Sequence, residues 1–312
     1  MKRRDATEEG RAMTHPAPGF GDAERRNAEA LIRMALAEDL GDLGDVTTQA
    51  VIPPHARGSA RLTARAPGVI SGLPIVAMLL EAFEIADGWR PRKVDGDRIA
   101  AGEVVAELVG DFRAILSLER TALDFVQRLS GVATLTARFV AKVEGTAAKV
   151  LDTRKTTPGW RALEKYAVRC GGGCNHRIGL YDAVLIKDNH LAWLKVDGVA
   201  DPIPHAVAAA RAAAPAGTTI EVEVDTLDQF DVALQCRPDI VLVDNLGPAA
   251  LVEAVRRRDE RAPGVLLESS GGVTLATIAG LAGTGVDRIS VGALTHSAIA
   301  LDVAFDVSAE TP

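Results

Sequence analysis

Six short apolar runs recur through the second half of the chain, and helical stretches separate them. Each run is rich in β-branched residues, which is typical of parallel strands covered on both faces. The runs occupy residues 150–151, 184–186, 220–224, 240–243, 265–267 and 289–291. Repeated strand–helix units predict a parallel sheet, and such a sheet closes naturally into a β/α barrel. Because only about six strands are evident, the sequence predicts an α/β fold with an incomplete barrel.

The first part of the chain lacks this repeated strand–helix pattern. Its own pattern predicts a separate N-terminal α+β domain at residues 23–130. An amphipathic helical pattern begins at Ala28 and stops at Gly41, and polar and apolar residues alternate from 60 to 66. Residues 1–22 combine charge, Pro and Gly without periodicity, which predicts a disordered tail.

The domain boundary is expected near residue 130, with the barrel at 131–295. A long helix is predicted to end before Gly131, and a second helix is predicted to end near Val143. Residues 296–312 are expected to return to the N-terminal domain. The acidic cluster at 38–45 could suggest a metal site, but a capped helix end followed by an Asp/Thr turn accounts for it better.

The overall charge excludes some classes of partner. The chain has 312 residues, a net charge of −7 and a pI near 5.5. Without a basic arm or a basic balance, nucleic acid is not expected as a partner. The length is sufficient for a large core, either two domains or one barrel with an addition.

Cysteine usage and the apolar stretches predict a cytoplasmic enzyme. Cys170, Cys174 and Cys236 are odd in number and poor in pattern, which favours reduced thiols over a metal site. The first ten residues lack the apolar core of a signal peptide. Residues 269–286 carry no charge, but ten of these 18 are Gly, Ser or Thr, so a membrane span is not predicted.

One stretch of the barrel carries an exceptional charge. From Lys149 to Lys187 there are eight Lys and Arg, three Asp and Glu, and one His. Cations at strand ends and around the glycine turn at 171–173 suit a small ligand that carries several negative charges.

The carboxyl ends of the predicted strands carry polar, charged or glycine residues. In a β/α barrel these ends converge on one mouth, where functional groups gather. The residues at these ends are Arg154, Lys155, Lys187, Glu223, Asp244, Ser270, Gly271, Gly272 and Gly292. Solvated strand ends would also be polar, so the inference rests on six consecutive ends sharing this character.

Alternation within one strand places three carboxylates on one face. Glu221, Glu223 and Asp225 alternate with valines, and three carboxylates facing a barrel lumen would repel one another. Lys155 and Lys187 could offset that charge from neighbouring strands. Placement at a solvated edge is the alternative.

Two late glycine turns occupy the positions where barrels often hold a phosphate on backbone N–H groups. They are Gly271-Gly272 and Val291-Gly292-Ala293. Simple turn chemistry is the alternative explanation for both.

The central stretch also contains a dense set of motifs at fixed offsets. They are Thr153-Arg154-Lys155-Thr156, Pro158-Gly159, Leu163, Lys165-Tyr166-Ala167-Val168, Gly171-Gly172-Gly173, His176-Arg177, Gly179-Leu180 and Lys187-Asp188-Asn189-His190. This set resembles the signature of quinolinate phosphoribosyltransferase, also called nicotinate-nucleotide pyrophosphorylase (carboxylating). The resemblance covers residues 28–300 and implies a barrel of about seven strands. The segment 197–204 is less regular than in the family and is expected to lengthen one loop.

The resemblance implies roles for individual residues. Arg120, Arg154, His176 and Arg177 would bind the two adjacent carboxylates of quinolinate, with Thr153 and Lys155 beside them. Lys187, Glu223 and Asp244 would surround the ribose, the pyrophosphate and a Mg²⁺ ion of phosphoribosyl pyrophosphate. Ser270, Gly271, Gly272, Val291, Gly292 and Ala293 would form the phosphate cradle. Lys155, Lys187, Glu223 and Asp244 would be catalytic, and Glu223 and Asp244 would hold the metal.

The implied reaction is phosphoribosyl transfer to quinolinate with loss of CO₂, giving nicotinate mononucleotide for NAD biosynthesis. The resemblance also implies a homodimer in which Arg120 reaches the partner's barrel. Two alternatives stay open: a molybdenum-transport-associated paralogue with another substrate, and a non-catalytic anion-binding barrel. The paralogue would be expected to alter the basic residues that bind the dicarboxylate, and the regulator would not need Glu223 and Asp244. A dinucleotide-binding dehydrogenase fits poorly, because the triple glycine lacks the required spacing.

Overall fold

The computed structural model describes residues 18–309. The N-terminal part contains helices packed beside a small antiparallel sheet. Its elements are α1 Asp22–Leu40, α2 Val46–Val51, β1 Arg57–Ala64, β2 Gly68–Val69, α3 Leu73–Ala82, β3 Trp89–Pro91, β4 Arg98–Ile99, β5 Val104–Asp111 and α4 Phe112–Lys142. Gly41 ends α1 with a positive φ of 50°, and Asp45 begins α2 by accepting a hydrogen bond from the Thr48 N–H at 2.8 Å. The acidic cluster therefore marks a helix end and a cap.

The second part alternates strands and helices. Its elements are β6 Lys149–Leu151, α5 Arg161–Cys170, β7 Val184–Ile186, α6 Asp188–Val196, α7 Pro202–Ala213, β8 Ile220–Val224, α8 Leu227–Cys236, β9 Ile240–Asp244, α9 Pro248–Arg261, β10 Leu266–Ser270, α10 Ile278–Ala282, β11 Arg288–Ser290, α11 Ala293–His296 and β12 Val303–Ala309. Strands β6 to β11 form one parallel sheet in the order β6-β11-β10-β9-β8-β7. The predicted α/β class with a parallel sheet is confirmed.

The sheet leaves one gap, between β6 and β7, which are consecutive in the chain. A single parallel bridge joins Leu151 to Cys174 on the β6 side of this gap. Across the lumen, His176 Nε2 lies 3.1 Å from Glu221 Oε2 on β8 and 3.5 Å from Glu268 Oε1 on β10. A segment beside β6 can reach both strands only if the sheet curls round, and this curvature is consistent with the predicted incomplete barrel. Six strands form the ladder, where the resemblance implied about seven.

The C-terminal strand joins the N-terminal sheet. β12 pairs antiparallel with β1, with Leu62 opposite Phe305, and the sheet order is β12-β1-β5-β3. The chain therefore leaves the barrel after α11 and adds an edge strand to the N-terminal sheet.

The prediction that a helix ends before Gly131 is wrong, because α4 runs unbroken from Phe112 to Lys142. A Cβ at Gly131 would lie 2.2 Å from the carbonyl oxygen of Ile299. The glycine therefore permits a close approach between α4 and the segment before β12. The sequence shows the residue type but not the neighbour that requires it.

The predicted tail at 1–22 is too long at its C-terminal end. Residues 1–17 lie outside the described residues. Phe20 packs edge-to-face on Tyr166 with the ring centroids 5.1 Å apart, and α1 already begins at Asp22. An aromatic contact therefore fixes this part of the segment to the barrel helix α5.

The two parts of the chain meet at a buried carboxylate. Asp95 accepts hydrogen bonds from the Gly72 N–H at 2.7 Å, the Leu73 N–H at 3.0 Å and the Tyr166 hydroxyl at 2.9 Å. Burial raises the pKa of Asp95 to about 6. It joins the first turn of α3 to the barrel helix α5. No helix within residues 18–309 has both the length and the apolar character needed to cross a membrane.

Candidate active site

The carboxyl ends of the six parallel strands form one rim, and the residues predicted at strand ends lie on it. Lys187 directly follows β7, Asp244 ends β9 and Ser270 ends β10. Parallel pairing sets Asp244 opposite Ser270 and Glu223 opposite Leu242. The register therefore sets Asp244 level with Ser270 and places Glu223 two residues lower on the neighbouring strand.

Two arginines form the basic side of the rim. Burial and the neighbouring charge of Arg154 lower the pKa of Arg177. The Nε of Arg154 is buried and has no hydrogen-bond partner within residues 18–309. Arg177 donates from Nη1 to the Ala183 carbonyl at 3.2 Å. Two like charges held together around an unpaired donor favour an anion between them.

A buried ion pair fixes the backbone on which these arginines stand. Lys165 pairs with Asp152, and both side chains are 0% exposed. Asp152 also accepts from the His176 N–H at 2.9 Å and from Asn175 Nδ2 at 2.6 Å. Lys165 donates to the His176 carbonyl at 3.0 Å. The strand end before Arg154 and the segment before Arg177 are thereby held to the same helix, α5.

His176 turns inward rather than into open space. Its Nδ1 accepts the Arg177 N–H at 2.7 Å, so the proton lies on Nε2, which faces Glu221 Oε2 at 3.1 Å. Burial alone would lower the pKa of His176, but the hydrogen bond and charge of Glu221 and the charge of Glu268 raise it. In this arrangement both ring nitrogens are engaged by the protein. Its predicted contact with a substrate carboxylate stays a prediction.

The three groups His176, Glu221 and Glu268 could be mistaken for a metal site, since their ligand atoms lie within 4.8 Å of one another. Arg288 Nε donates to Glu268 Oε2 at 2.5 Å, and the Ser290 hydroxyl donates to Glu268 Oε1. With a proton on His176 Nε2, no ring lone pair is free for a metal. The cluster is therefore a hydrogen-bonded network that crosses the lumen.

The acidic side of the rim borders a cavity of about 470 Å³. Glu223 and Asp244 line it, and Lys187 forms an ion pair with Glu223. The remaining walls come from α6, α8 and the segment 201–204. Part of the irregular segment at 197–204 thus forms one wall of this cavity. Lys155, which was expected to help offset the carboxylates of β8, lies elsewhere on the rim.

The first glycine turn is shaped by Asn245. This residue has a positive φ of 58°, donates from Nδ2 to Asp244 Oδ2 at 2.7 Å and donates its N–H to the Ser270 carbonyl at 2.9 Å. A Cβ at Gly271 would lie 2.1 Å from Asn245 Oδ1. Gly271 therefore permits the two strand ends to meet, which places its backbone beside Asp244.

The second glycine turn meets the basic side. A Cβ at Gly292 would lie 3.2 Å from Lys155 Cδ and 3.1 Å from His296 Nε2. Val291 and Ala293 flank this turn, at the end of β11 and the start of α11. Both glycine turns thus stand on the rim, one beside Asp244 and one beside Lys155.

Arg120 is the predicted site residue that the fold does not bring to the rim. Its side chain is 64% exposed and lies 3.7 Å from Asp124 on the same helix. It lines a separate groove of about 280 Å³ whose walls come from α1, α4 and Trp160. None of the predicted strand-end residues lines that groove.

Sequence reasoning missed several residues that shape the site. Asn245 follows Asp244 directly, and an Asp-Asn pair after a strand was a usable turn signal. Glu268 directly follows the apolar run 265–267, and its lumen-facing position follows only from the strand register. Arg128 and Glu164 form an ion pair, but they are 36 residues apart and the sequence did not predict this contact.

Comparison with known proteins agrees with this geometry. Residues 45–130 match the N-terminal domain of quinolinate phosphoribosyl transferase, and residues 132–306 match its C-terminal domain. The chain belongs to the quinolinate phosphoribosyl transferase family. The resemblance seen in the motifs is thereby confirmed. The junction of the two family domains falls inside α4, which contributes to both parts of the fold.

Individual members of the quinolinate phosphoribosyl transferase family are similar over nearly the whole chain. The nicotinate-nucleotide pyrophosphorylase (carboxylating) of Mycobacterium leprae is 48% identical over 290 residues, which is 92% of this chain and 100% of that protein. NadC from Streptococcus pyogenes has a TM-score of 0.83 and 36% identity, covering 92% of this chain and 98% of that one. The nicotinate-nucleotide pyrophosphorylase from Francisella tularensis has a TM-score of 0.82 and 35% identity, covering 95% of this chain and 100% of that one.

The close approach at Gly271 gives a testable consequence. Gly271→Ala should weaken binding of a phosphorylated substrate about tenfold or more, because the new methyl group must displace Asn245 and with it Asp244. Gly102→Ala is the matched control: Gly102 has a similar positive φ of 82° but no atom within 4 Å of its Cβ position. The KM for phosphoribosyl pyrophosphate measures the effect. Equal KM values for the two variants would contradict the assigned role of this turn.

Proposed function

We propose that this protein transfers the phosphoribosyl group of 5-phosphoribosyl 1-pyrophosphate to quinolinate, releasing pyrophosphate and CO₂ and forming nicotinate mononucleotide for NAD biosynthesis. Membership of the quinolinate phosphoribosyl transferase family supports this pentosyltransferase activity. The observation that carries the proposal is the paired Arg154 and Arg177 on the same rim as Glu223, Asp244 and two glycine turns. One mouth then offers a site for a dianion and a site for a phosphorylated sugar.

Quinolinate occupies the basic side in this proposal. Arg154 and Arg177 each present a planar fork that suits a carboxylate, and two such forks suit two adjacent carboxylates. Thr153 and Lys155 flank them, and Arg120 is supplied by a second subunit. His176 serves the same pocket, at least by fixing the Arg177 backbone through its Nδ1.

The phosphoribosyl pyrophosphate occupies the acidic side and extends along the rim to the glycine turn beside Lys155. Lys187 and Lys155 bind pyrophosphate oxygens, while Gly271, Gly272 and Gly292 present backbone N–H groups to phosphate. Ser270, Val291 and Ala293 complete the cradle. Glu223 and Asp244 offer hard carboxylate oxygens at one cavity, and these two residues would hold a Mg²⁺ ion. When bound there, Mg²⁺ would neutralise charge on the leaving group.

The reaction needs no covalent intermediate with the protein. The quinolinate nitrogen attacks the anomeric carbon, and the bond to pyrophosphate breaks with its electron pair leaving on oxygen. Positive charge develops on the ribose, where Glu223 and Asp244 stabilise it, while lysines stabilise the pyrophosphate. Once the nitrogen is quaternary, the ring accepts the electron pair left by departing CO₂. The ring carbon then takes a proton from water, and nicotinate mononucleotide results.

The three cysteine thiols support a proposal for the cellular compartment of the enzyme. Cys170, Cys174 and Cys236 are all free, and Cys170 is buried, where burial raises its pKa to about 12. Three unpaired thiols suit a reducing compartment, so we place the enzyme in the cytoplasm.

The proposed substrate is tested by comparing quinolinate with nicotinate, which has one carboxylate. Turnover of nicotinate should be on the order of 10³-fold less efficient, because it leaves a buried cation without its partner. The measurement is kcat/KM for each acid with phosphoribosyl pyrophosphate and Mg²⁺, with nicotinate mononucleotide as the detected product. Comparable efficiency for both acids, or no product from quinolinate, would sink the proposal.

Metal dependence should belong to catalysis and not to folding. Chelation should abolish turnover and leave the melting temperature of the ligand-free enzyme nearly unchanged, because Glu223 already has Lys187 as a partner. Differential scanning fluorimetry with and without chelator measures the second point. A large drop in melting temperature would show a structural metal instead.

We also propose that the active site is shared between two subunits. Arg120 is exposed and stands in a groove apart from the rim of its own chain, as a residue donated to a neighbour would. In a two-fold dimer every contact is made twice, so two equivalent composite sites would form.

Complementation between two inactive variants tests the shared site. Arg120→Ala and Arg177→Ala should each be nearly inactive alone. In a mixed dimer the Arg120→Ala barrel receives an intact Arg120, so one of the two sites works. With random exchange half the dimers are mixed, and activity should recover to roughly a quarter of wild type. No recovery after verified subunit exchange would show that each chain uses its own Arg120.

A further inference from the structure

The loop at 153–157 and the turn at 291–293 are joined by a side chain that touches neither proposed substrate pocket. Thr295 lies on α11 and is 0% exposed. Its hydroxyl donates to the carbonyl of Lys155 at 2.7 Å. Its N–H donates to the Gly292 carbonyl at 3.2 Å. One residue therefore contacts the backbone of the basic loop and the backbone of the glycine turn.

An ion pair between the half-buried Arg128 and the buried Glu164 contacts the same two segments. Arg128 on α4 donates to the Thr295 carbonyl and, from Nη1, to the Ala298 carbonyl at 3.0 Å. Arg128 Nη2 also pairs with Glu164 Oε1 at 2.5 Å, and the Glu164 side chain is 0% exposed. Glu164 accepts from Thr157 through its N–H at 3.0 Å and its hydroxyl at 2.8 Å.

These contacts form a closed chain of bonds. It runs from Lys155 through Thr295 to Arg128, from Arg128 to Glu164, and from Glu164 back to Thr157 in the same loop. Thr295 and Glu164 are 0% exposed, so leaving either one unpaired is costly, and the chain of bonds favours one geometry. The spacing between the loop and the turn follows from this chain of bonds. It is small enough that a Cβ at Gly292 would lie 3.2 Å from Lys155 Cδ.

We propose that Thr295 is a positioning residue for the transfer reaction, acting with the Arg128–Glu164 pair. Its hydroxyl sets the separation between the loop that carries Thr153, Arg154 and Lys155 and the turn that binds phosphate. The inference rests on the proposed function, since these two segments hold the two substrates that must meet. Misplacement of reacting groups by about 1 Å can cost about 10²-fold in rate.

A positioning role and a purely stabilising role for the Thr295 hydroxyl predict changes in different measured quantities. A buried hydroxyl that only stabilises the fold would alter the melting temperature and leave kcat unchanged. A positioning hydroxyl that contacts neither substrate should leave the binding of each substrate alone nearly intact and lower the rate at which they react.

The test compares Thr295→Val, Thr295→Ser and Thr284→Val. Thr295→Val keeps the volume and removes the hydroxyl, while Thr295→Ser keeps the hydroxyl. Thr284 is the matched control: it is buried, and its hydroxyl donates to the Leu281 carbonyl at 2.6 Å after α10. We expect Thr295→Val to lower kcat about 10- to 100-fold, with the Kd of each substrate alone changing less than about threefold. Thr295→Ser should stay within about threefold of wild-type kcat, and Thr284→Val should keep it.

Two outcomes overturn the inference: equal kcat in Thr295→Val and Thr284→Val, or failure of Thr295→Ser to retain activity. If Thr295→Val does not fold, Thr157→Val removes one hydroxyl bond to Glu164 from an exposed position and should lower kcat in the same direction. Unchanged kcat in Thr157→Val would then count against the closed chain of bonds. Wild-type protein without turnover of quinolinate refutes the proposed function itself, which separates the two failures.

Discussion

The active site depends on the buried ion pair between Asp152 and Lys165. Burial raises the pKa of Asp152 and lowers that of Lys165, and the charge of each partner opposes the shift of the other. Removing one partner from such a pair typically costs about 3–5 kcal/mol, since the other charge stays buried. The pair fixes the end of β6 and the segment at 174–177 to one helix. Arg154 follows the end of β6, and Arg177 lies at the end of the segment 174–177. The ion pair therefore holds the two arginines near each other despite their repulsion.

The incomplete barrel explains why charged groups fill its lumen. In a closed barrel every strand is hydrogen-bonded to a neighbour on both sides. Within residues 18–309, the gap between β6 and β7 contains only the bridge from Leu151 to Cys174. The contacts of His176 with Glu221 on β8 and Glu268 on β10 cross the lumen from the β6 side of that gap, and Arg288 balances part of the carboxylate charge. An apolar lumen would pack as well, yet it would not fix the orientation of the segment that carries Arg177. The polar network therefore serves to fix the orientation of this segment more than to stabilise the fold.

Strand positions and strand-end residues were predictable because both depend on local pattern. The run at 220–224 had to place Glu221 and Glu223 on one face, and the register confirms that they share it. Long-range contacts were not predictable. The sequence shows Gly131 but not the carbonyl of Ile299 that excludes a side chain there, and it shows His176 but not the two lumen carboxylates that draw it inward. Such features depend on which distant segments meet, and a single sequence carries no signal of that.

The distribution of charge along the chain explains how a protein with a negative net charge can bind anionic substrates. The chain carries −7 overall, yet the stretch from Lys149 to Lys187 has an excess of five positive charges. At physiological ionic strength the Debye length is about 8 Å, so the distant negative charge is largely screened at the rim. Within that range a substrate meets chiefly Arg154, Arg177 and the neighbouring lysines. The cations are clustered at one rim and are not spread over the surface. They therefore attract anionic substrates only where those substrates bind.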